Sequence, residues 1–158
     1  MSADASIAHL LSTRSTLARI GAYEITDDPD RVDLDVVHQF LSRECPGRDG
    51  LTVDQVRTSM RTCLPLSVQW GGSAPATVGF LRVVTDTLTH AWLDDLFVLR
   101  EHRRRGLAHA LVEAALEHPA VHGAARQWLH TAGPQPTYAG QGFTSFAVGA
   151  VLLVRPGP

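Results

Sequence analysis

The sequence contains no lysine, and all fourteen of its cationic residues are arginine. This absence excludes a lysine Schiff base and a lysine nucleophile from the chemistry of the chain. Cysteine is scarce as well, with only Cys45 and Cys63. No disulfide framework is therefore predicted, and a reducing, cytoplasmic location is expected. The cysteines match no zinc spacing, nor do His118, His122 and His130, which are expected on the surface or in loops, so no metal is predicted.

Long apolar runs and a large net charge are also missing. No run approaches the roughly 20 apolar residues of a membrane-spanning helix, and the net charge is −2. Neither a membrane nor a nucleic acid is therefore expected as a partner. The first residues lack the compact apolar segment of a secretory signal. The chain of 158 residues predicts an N-terminal arm over 1–21 and one domain over 22–158, as a monomer or a homodimer.

Hydrophobic periodicity predicts an alternation of strands and helices along the domain. The predicted strands are 23–26, 64–70, 77–86, 88–99, 126–131 and 143–154, and the predicted helices are 34–44, 52–62 and a third that follows three arginines and ends near His118. No internal repeat and no low-complexity segment interrupts this order. The pattern indicates a single α/β domain around a mixed sheet.

The arginines 103–105 and Gly106 stand where the third helix is predicted to begin. A helix start usually carries Ser, Thr, Asp or Asn and acidic residues, because its end of the dipole is positive. Here more positive charge is added instead. The unpaired N–H groups of a helix start bind anions, and Gly106 and Ala108 leave room for a ligand to approach the backbone. The segment therefore predicts a site for a phosphate or pyrophosphate.

A family resemblance rests on this loop and on its surroundings. The pattern Arg103-x-x-Gly106-x-Ala108 resembles the [Q/R]-x-x-G-x-[G/A] signature of the GNAT superfamily of acyl-CoA-dependent N-acetyltransferases. The preceding segments RVVTD and AWLDDLFV are similar to two central strands of a bacterial GNAT subgroup, and Tyr138-x-x-x-Gly142-Phe143 is similar to the family's Y-x-x-x-G-F ending. The resemblance covers about residues 22–155. It implies an α/β GNAT-like domain with a mixed, mostly antiparallel sheet flanked by helices.

The resemblance also implies the co-substrate and its contacts. Acetyl-CoA is expected at a strand–loop–helix site, with its pantetheine arm on the strand backbone and its phosphates on the loop and helix start. The implied cofactor-binding residues are Leu96, Phe97, Val98, Arg103, Arg104, Arg105, Gly106, Ala108, His109 and Thr131. Thr131 stands where the family often has Asn. Tyr138 is implied as the general acid that protonates the CoA thiolate.

Two neighbouring carboxylates are candidates for work on the acceptor. Asp94 and Asp95 lie in the middle of an apolar strand, where an unpaired charge is costly to bury, and alternation predicts that they face opposite sides. Either one is solvated while the other pairs with an arginine such as Arg82, or Asp95 lines the acceptor cleft as base or amine anchor. His90 and Trp92 either contact the acceptor or pack in the core. The predicted acceptor-binding residues are Arg82, His90, Trp92 and Asp94.

One departure from the family pattern concerns the predicted acid. Pro134 and Pro136 precede Tyr138, so the helix that carries the tyrosine is expected to be shortened or bent. Tyr138 is then either the acid or a packing residue beside Phe143. The predicted function is the transfer of an acetyl group from acetyl-CoA to a primary amine of a small molecule or peptide, by direct transfer. The alternative is a CoA-binding module with a degenerate catalytic site and a sensor or regulatory role.

Overall fold

The computed structural model describes residues 11, 13–45, 48–130 and 136–145. These residues form a six-stranded sheet in which neighbouring strands follow chain order. The strands are β1 (Thr16–Ile20), β2 (Tyr23–Thr26), β3 (Leu64–Trp70), β4 (Ala76–Thr85), β5 (His90–Val98) and β6 (Arg126–Leu129). The pairs from β1 to β5 are antiparallel, and β5 and β6 are parallel. The predicted mixed, mostly antiparallel sheet is therefore confirmed.

Strand β1 lies inside the segment that the sequence assigns to an N-terminal arm. It pairs with β2 between Thr16 and Thr26 and between Ile20 and Tyr23. Its partly buried side chains, Leu17 among them, pack against the core of the domain. The sheet therefore begins at Thr16, before the predicted domain boundary at residue 22. Residues 1–10 and 12 lie outside the described part of the chain.

Five α-helices flank the sheet in the described part of the chain. They are α1 (Leu34–Glu44), α2 (Val53–Ser59), α3 (Leu107–Glu117), α4 (Pro119–His122) and α5 (Pro136–Ala139). Asp33 caps α1, and Thr52 and Gln55 form a capping box on α2, because their side chains satisfy the first free N–H groups. None of these helices is both long and apolar enough to span a membrane. The predicted strand 143–154 lies mostly beyond the described residues, and its described part, 143–145, is not a strand.

The two faces of the sheet carry different cores. On one face, α3 buries Leu107 and Leu111 against the middle of the sheet. On the other face, α1 and α2 cover Phe80 and Phe97, with the ring of Phe40 stacked on Phe97 at a centroid distance of 4.0 Å. The face that carries Phe80 is not covered along its whole length, because Val84 on the same face is 42% exposed.

The turn between β4 and β5 is built around one carboxylate. Oδ1 of Asp86 accepts hydrogen bonds from the backbone N–H groups of His90, Leu88 and Thr89 at 3.0, 3.1 and 2.8 Å. The bond to His90 is the largest of several that hold the pKa of Asp86 well below its usual range, together with the hydroxyl of Thr89. The turn therefore fixes where β5 begins, and with it the register of the strand that carries the candidate site.

A buried polar cluster joins the start of the chain to the end of α3. The carboxylate of Asp27 is fully buried and accepts hydrogen bonds from the backbone of Ser15 and the hydroxyl of Thr13. Nδ1 of His118 accepts from the N–H of Ala120 at 3.1 Å, so Nε2 carries the proton and faces Oδ2 of Asp27 at 3.2 Å. The sequence predicts a surface or loop histidine here, and the structure places His118 in the junction between α3 and α4, where it is buried and its ring caps α4 and faces a buried carboxylate.

Replacing Asp27 by alanine is expected to lower the free energy of unfolding by about 3 kcal/mol, because several buried donors lose their acceptor at once. Urea unfolding followed by circular dichroism measures the loss. Asp30→Ala is the matched control, since its ion pair with Arg14 is exposed on both sides and is expected to contribute less than about 1 kcal/mol. Equal losses in the two variants would show that the buried cluster adds nothing to stability.

Candidate functional site

Strand β5 contains a β-bulge at Asp95. The register with β4 runs from Arg82 opposite Asp94 to Phe80 opposite Phe97, so two residues of β5 stand opposite one of β4. Asp95 has a φ of 54°, in the left-handed region that residues other than glycine seldom adopt. The side chains of Asp94 and Asp95 consequently both contact Arg82. The expectation that they face opposite sides is wrong, because the extra residue of the bulge breaks the alternation.

Two arginines hold the two carboxylates in a charged cluster. Arg82 donates from Nε to Oδ2 of Asp95 at 2.6 Å and from Nη2 to Oδ2 of Asp94 at 3.0 Å. Arg48 donates from Nη2 to Oδ1 of Asp95 at 2.9 Å and to Oδ2 of Asp94 at 3.1 Å. Burial alone lowers the pKa of Arg82, but the charges and hydrogen bonds of the two aspartates raise it overall. The cluster is therefore a set of ionised, mutually paired groups.

The two aspartates differ in their access to solvent. The side chain of Asp95 is 5% exposed and both of its oxygens accept from guanidinium groups, whereas that of Asp94 is 41% exposed. Asp95 is therefore arranged to orient the two arginines, and Asp94 is the carboxylate that a ligand can reach. The assignment of Asp95 as a base stays a prediction. Arg48 is absent from the sequence-based candidates because it lies in the loop between α1 and α2, where no periodic pattern marks it.

The edge of β5 opens immediately after these residues. The parallel pairing with β6 runs from His90 and Arg126 to Leu93 and Leu129, although β5 itself continues to Val98. On the β6 side, residues 94–98 have no partner strand in the described part of the chain. Backbone groups on an open edge can pair with an extended ligand that carries amide groups. The strand residues predicted to bind pantetheine lie on this open edge.

Helix α3 begins without the cap that helices normally have. Gly106 is its N-cap residue with a φ of 76°, no side chain bonds the first N–H groups, and the first turn contains no acidic residue. A Cβ atom built on Gly106 meets nothing within 4 Å apart from its chain neighbours, so the space beside this first residue of the helix start is open. Uncapped N–H groups facing open space fit an anionic ligand such as a phosphate. Ala108 and His109 belong to this first turn.

The three arginines before the helix have different surroundings. Arg103 donates from Nε to the carbonyl oxygen of Val98 at 2.7 Å and lies 3.9 Å from a carboxylate oxygen of Glu44. Its side chain therefore braces the loop against the end of β5. All three residues are exposed, so they differ in these contacts of Arg103 and in the backbone of Arg104, which has a positive φ of 61°. Positive charge available to a ligand is thus concentrated on Arg104 and Arg105.

The short turn that precedes the arginines is tied to the sheet by aromatic contacts. Nδ1 of His102 lies 3.0 Å from the hydroxyl of Tyr23, and its ring lies 5.1 Å from that of Trp70, centroid to centroid. These contacts connect the loop to β2 and β3. The loop conformation is therefore supported from the side opposite to the helix.

Tyr138 lies on the one-turn helix α5, of which Pro136 is the first residue. Proline tolerates the first position of a helix, and the expected shortening or bending of this segment stays a prediction, because residues 131–135 before it lie outside the described part of the chain. Burial raises the pKa of Tyr138. Nε2 of Gln141 donates to the carbonyl oxygen of His109 at 3.0 Å, which links the segment after Tyr138 to the first turn of α3. Thr131 lies outside the described residues.

The predicted acceptor residues share a neighbourhood on the sheet. His90, Trp92 and Asp94 alternate with the buried Ala91 and Leu93 along β5, so they lie on the opposite face from α3. Sequence reasoning missed Trp128 of β6, which is the register partner of Trp92. Only the parallel pairing of β5 with β6 brings this residue to the site. No group of three or more potential metal ligands occurs among the residues that the structure describes.

The chain resembles known proteins both in sequence and in fold. The model of the Acetyltransferase (GNAT) family matches residues 34–143, more than half of the chain. No curated protein gives a significant match. A GNAT-family putative acetyltransferase from Xanthomonas campestris pv. campestris is 29% identical, with a TM-score of 0.77 over 89% of this chain and 96% of that one.

Two further solved structures share the fold at low identity. Rv2747 from Mycobacterium tuberculosis, solved in complex with CoA and NLQ, is 16% identical with a TM-score of 0.60, over 76% of this chain and 71% of that one. Glucosamine-6-phosphate N-acetyltransferase from Arabidopsis thaliana is 9% identical with a TM-score of 0.59, over 84% and 99%. The predicted fold class is confirmed by these likenesses.

Proposed function

Because the chain belongs to the GNAT acetyltransferase family, whose general reaction is acetyl transfer to an amine, we propose that it moves the acetyl group of acetyl-CoA directly to a primary amine of a small molecule or peptide. The observation that carries the proposal is the succession of the open β5 edge and the uncapped start of α3. An extended arm that carries amide groups can pair with the open strand edge, and a phosphate group can bind the uncapped helix start. A protein of the same fold, Rv2747, was solved with CoA.

In this proposal the backbone of Leu96, Phe97 and Val98 holds the pantetheine arm. The N–H groups from Gly106 to His109 hold the pyrophosphate, with charge from Arg104 and Arg105. The acetyl group then lies near the bulge, where the strand conformation is irregular at Asp95. The acceptor approaches from the face that carries Asp94, because this carboxylate is partly exposed there.

Direct transfer is supported by the state of the two thiols. Burial raises the pKa of Cys63 to about 12. Burial and the nearby Asp95 also raise the pKa of Cys45. Both cysteines are therefore protonated at neutral pH, whereas a thiolate is the form that would accept an acetyl group. Since the chain has no other cysteine, an acetyl-cysteine intermediate is disfavoured.

The proposed reaction proceeds by attack of the amine on the thioester. The ammonium form first loses a proton to water, and the free nitrogen lone pair forms a bond to the carbonyl carbon. The tetrahedral intermediate collapses with cleavage of the C–S bond, the thiolate takes the phenolic proton of Tyr138, and the nitrogen loses its second proton to water. The phenolate regains a proton from solvent. One proton is released in total, together with the amide and free CoA.

Two measurements on the unmutated protein test this proposal. Saturating acetyl-CoA is expected to raise the melting temperature, because it binds the folded state alone. Incubation with a panel of primary amines is expected to release CoA thiol, detected with a chromogenic disulfide, and mass spectrometry identifies the acetylated amine. A thermal shift without acetyl transfer to any amine or to water would favour the CoA-binding module over the enzyme. The absence of both effects would refute the proposal.

The split among the arginines gives a prediction for cofactor binding. The double variant Arg104→Ala/Arg105→Ala is expected to weaken CoA at least about tenfold while leaving pantetheine, which lacks the phosphates, nearly unchanged. It is also expected to flatten the salt dependence of CoA binding, because fewer ionic contacts remain. Isothermal titration with both ligands at two salt concentrations measures these changes.

Arg103→Ala is the comparison variant for this experiment. Its guanidinium contacts Val98 and Glu44, so its loss is expected to affect CoA and pantetheine alike by loosening the loop. Equal losses for both ligands in the double variant would mean that Arg104 and Arg105 also act on the loop and not on the phosphates.

A further inference from the structure

Three aromatic rings form a continuous surface across β5 and β6. The indole rings of Trp92 and Trp128 stack with centroids 5.1 Å apart and planes inclined by 11°. The ring of His90 lies 5.9 Å from that of Trp128 at 30°. The indole Nε1–H of Trp128 donates to Nδ1 of His90 at 2.9 Å. Because an indole N–H can only donate, Nδ1 of His90 is the acceptor of this hydrogen bond.

This aromatic surface does not belong to either described core. The core residues Ala91 and Leu93 point to the face that α3 covers, and α1 and α2 cover the distant end of the opposite face around Phe97. Val84, the β4 register partner of Trp92, is 42% exposed. The two indoles cover one face of each other, so a ligand on this partly exposed part of the sheet would meet their edges and outer faces, which are apolar.

A reachable carboxylate oxygen lies at one end of the aromatic surface. Asp94 is two residues from Trp92 on the same face of β5, about 7 Å along the strand. Its hydrogen bonds with Arg48 and Arg82 both use Oδ2, and 41% of its side chain is exposed. The surface therefore combines an aromatic area with an accessible carboxylate oxygen next to the bulge, which can accept hydrogen bonds from an ammonium joined to an aromatic or similarly apolar group.

We infer that the acceptor is a primary amine joined to an aromatic or similarly flat apolar group, which lies on Trp92, Trp128 and His90 while Asp94 binds its ammonium. This inference rests on the proposed acetyl transfer, because it assigns the amine end to the bulge where the thioester would lie. It makes Trp128 a residue that determines specificity. It also separates two properties of the acceptor, the shape of its body and the charge of its nitrogen, which different side chains recognise.

The test uses Trp70→Phe as the parent protein. Phenylalanine keeps an aromatic ring beside His102, and the remaining fluorescence comes from Trp92 and Trp128, since the chain has three tryptophans. The probes are 2-phenylethylamine, hexylamine, which lacks the ring, and 3-phenylpropionate, which carries a carboxylate in place of the amine. Fluorescence and isothermal titrations are carried out with and without saturating CoA. Phenylethylamine is expected to bind at least about tenfold tighter than either of the other two.

Two variants assign the preference to the named side chains. Asp94→Asn is expected to weaken phenylethylamine at least about tenfold, and Trp128→Leu is expected to remove its advantage over hexylamine. The affinity for acetyl-CoA should stay at the parent value in both. Equal binding of the three probes by the parent would overturn the inference without any variant, as would variants that bind phenylethylamine as the parent does. Failure of acetyl-CoA to bind the parent would instead refute the proposed function, which the amine titrations alone do not test.

Discussion

Replacing Gly106 by valine is expected to weaken acetyl-CoA binding at least about 100-fold, which corresponds to about 2.7 kcal/mol. Gly106 starts α3 with a φ of 76°, and a Cβ there meets no protein atom within 4 Å. A branched side chain would therefore fill the space in front of the uncapped N–H groups, where we propose the pyrophosphate. The stabilisation of about 2.7 kcal/mol that ligand provides at 100 times its original Kd should fall to about 0.4 kcal/mol or less.

The control for this variant is Gly21→Val. Gly21 also has a positive φ, 57°, and a Cβ atom at this position would likewise meet nothing within 4 Å, but it lies in the turn between β1 and β2. Both substitutions are expected to cost about 1–3 kcal/mol of backbone strain in the absence of ligand. Differential scanning fluorimetry with and without acetyl-CoA separates strain from binding. If Gly106→Val keeps a full acetyl-CoA shift, the start of α3 is not the phosphate site.

Replacing Tyr138 by phenylalanine is expected to reduce turnover by about one to three orders of magnitude while CoA affinity stays nearly constant. The substitution keeps the ring that packs against the core and removes only the hydroxyl. Burial raises the pKa of Tyr138 above its usual value of about 10. The phenol therefore keeps its proton throughout the neutral and mildly alkaline range, as a donor to a departing thiolate must.

The sign of the pH dependence follows from that shift. Turnover in the unmutated protein should rise with pH as the amine loses its proton, and Tyr138 should cause no decline below about pH 10. Steady-state kinetics with varied amine and acetyl-CoA measure kcat and KM for both proteins. Unchanged turnover in the phenylalanine variant would assign thiolate protonation to water. A loss of CoA affinity with unchanged turnover would make Tyr138 a residue that orders the pantetheine end.

Local sequence patterns predicted the helices and strands whose conformation is set by residues that are close together in the sequence. Strand β3 was predicted at its observed limits, and α1 as well, because apolar periodicity and caps such as Asp33 are encoded within a few residues. Strand β1 was missed because it is short and pairs with β2 at the edge of the sheet. Its stability comes from its neighbours, and its own sequence carries little signal.

The residues of the candidate site also fall into two groups, those that a local sequence pattern reveals and those that only a long-range contact brings to the site. The loop before α3 was predicted because its arginines and Gly106 contradict the usual helix start within one short stretch. Arg48, Trp128 and Gln141 were missed because each reaches the site through a long-range contact. The orientation of Asp94 and Asp95 was predicted wrongly for a related reason. A bulge is a property of two paired strands, and the alternation of a single strand does not reveal it.

The bulge at Asp95 also predicts which kinds of sequence change β5 tolerates. Before it, Ala91 and Leu93 face α3, and after it Phe97 faces α1 while Val98 faces α3. A regular strand with the same number of residues would exchange the two faces of everything after Asp95, because the extra residue of the bulge is what places Phe97 on the face of Phe80. Phe97 would then enter the core of α3, and Val98 would replace it beneath α1. Deletion of Asp95 would instead leave a regular strand with both faces unchanged, so deletion scanning followed by circular dichroism should find this position more tolerant than those of Leu93 and Phe97, whose side chains fill the two cores.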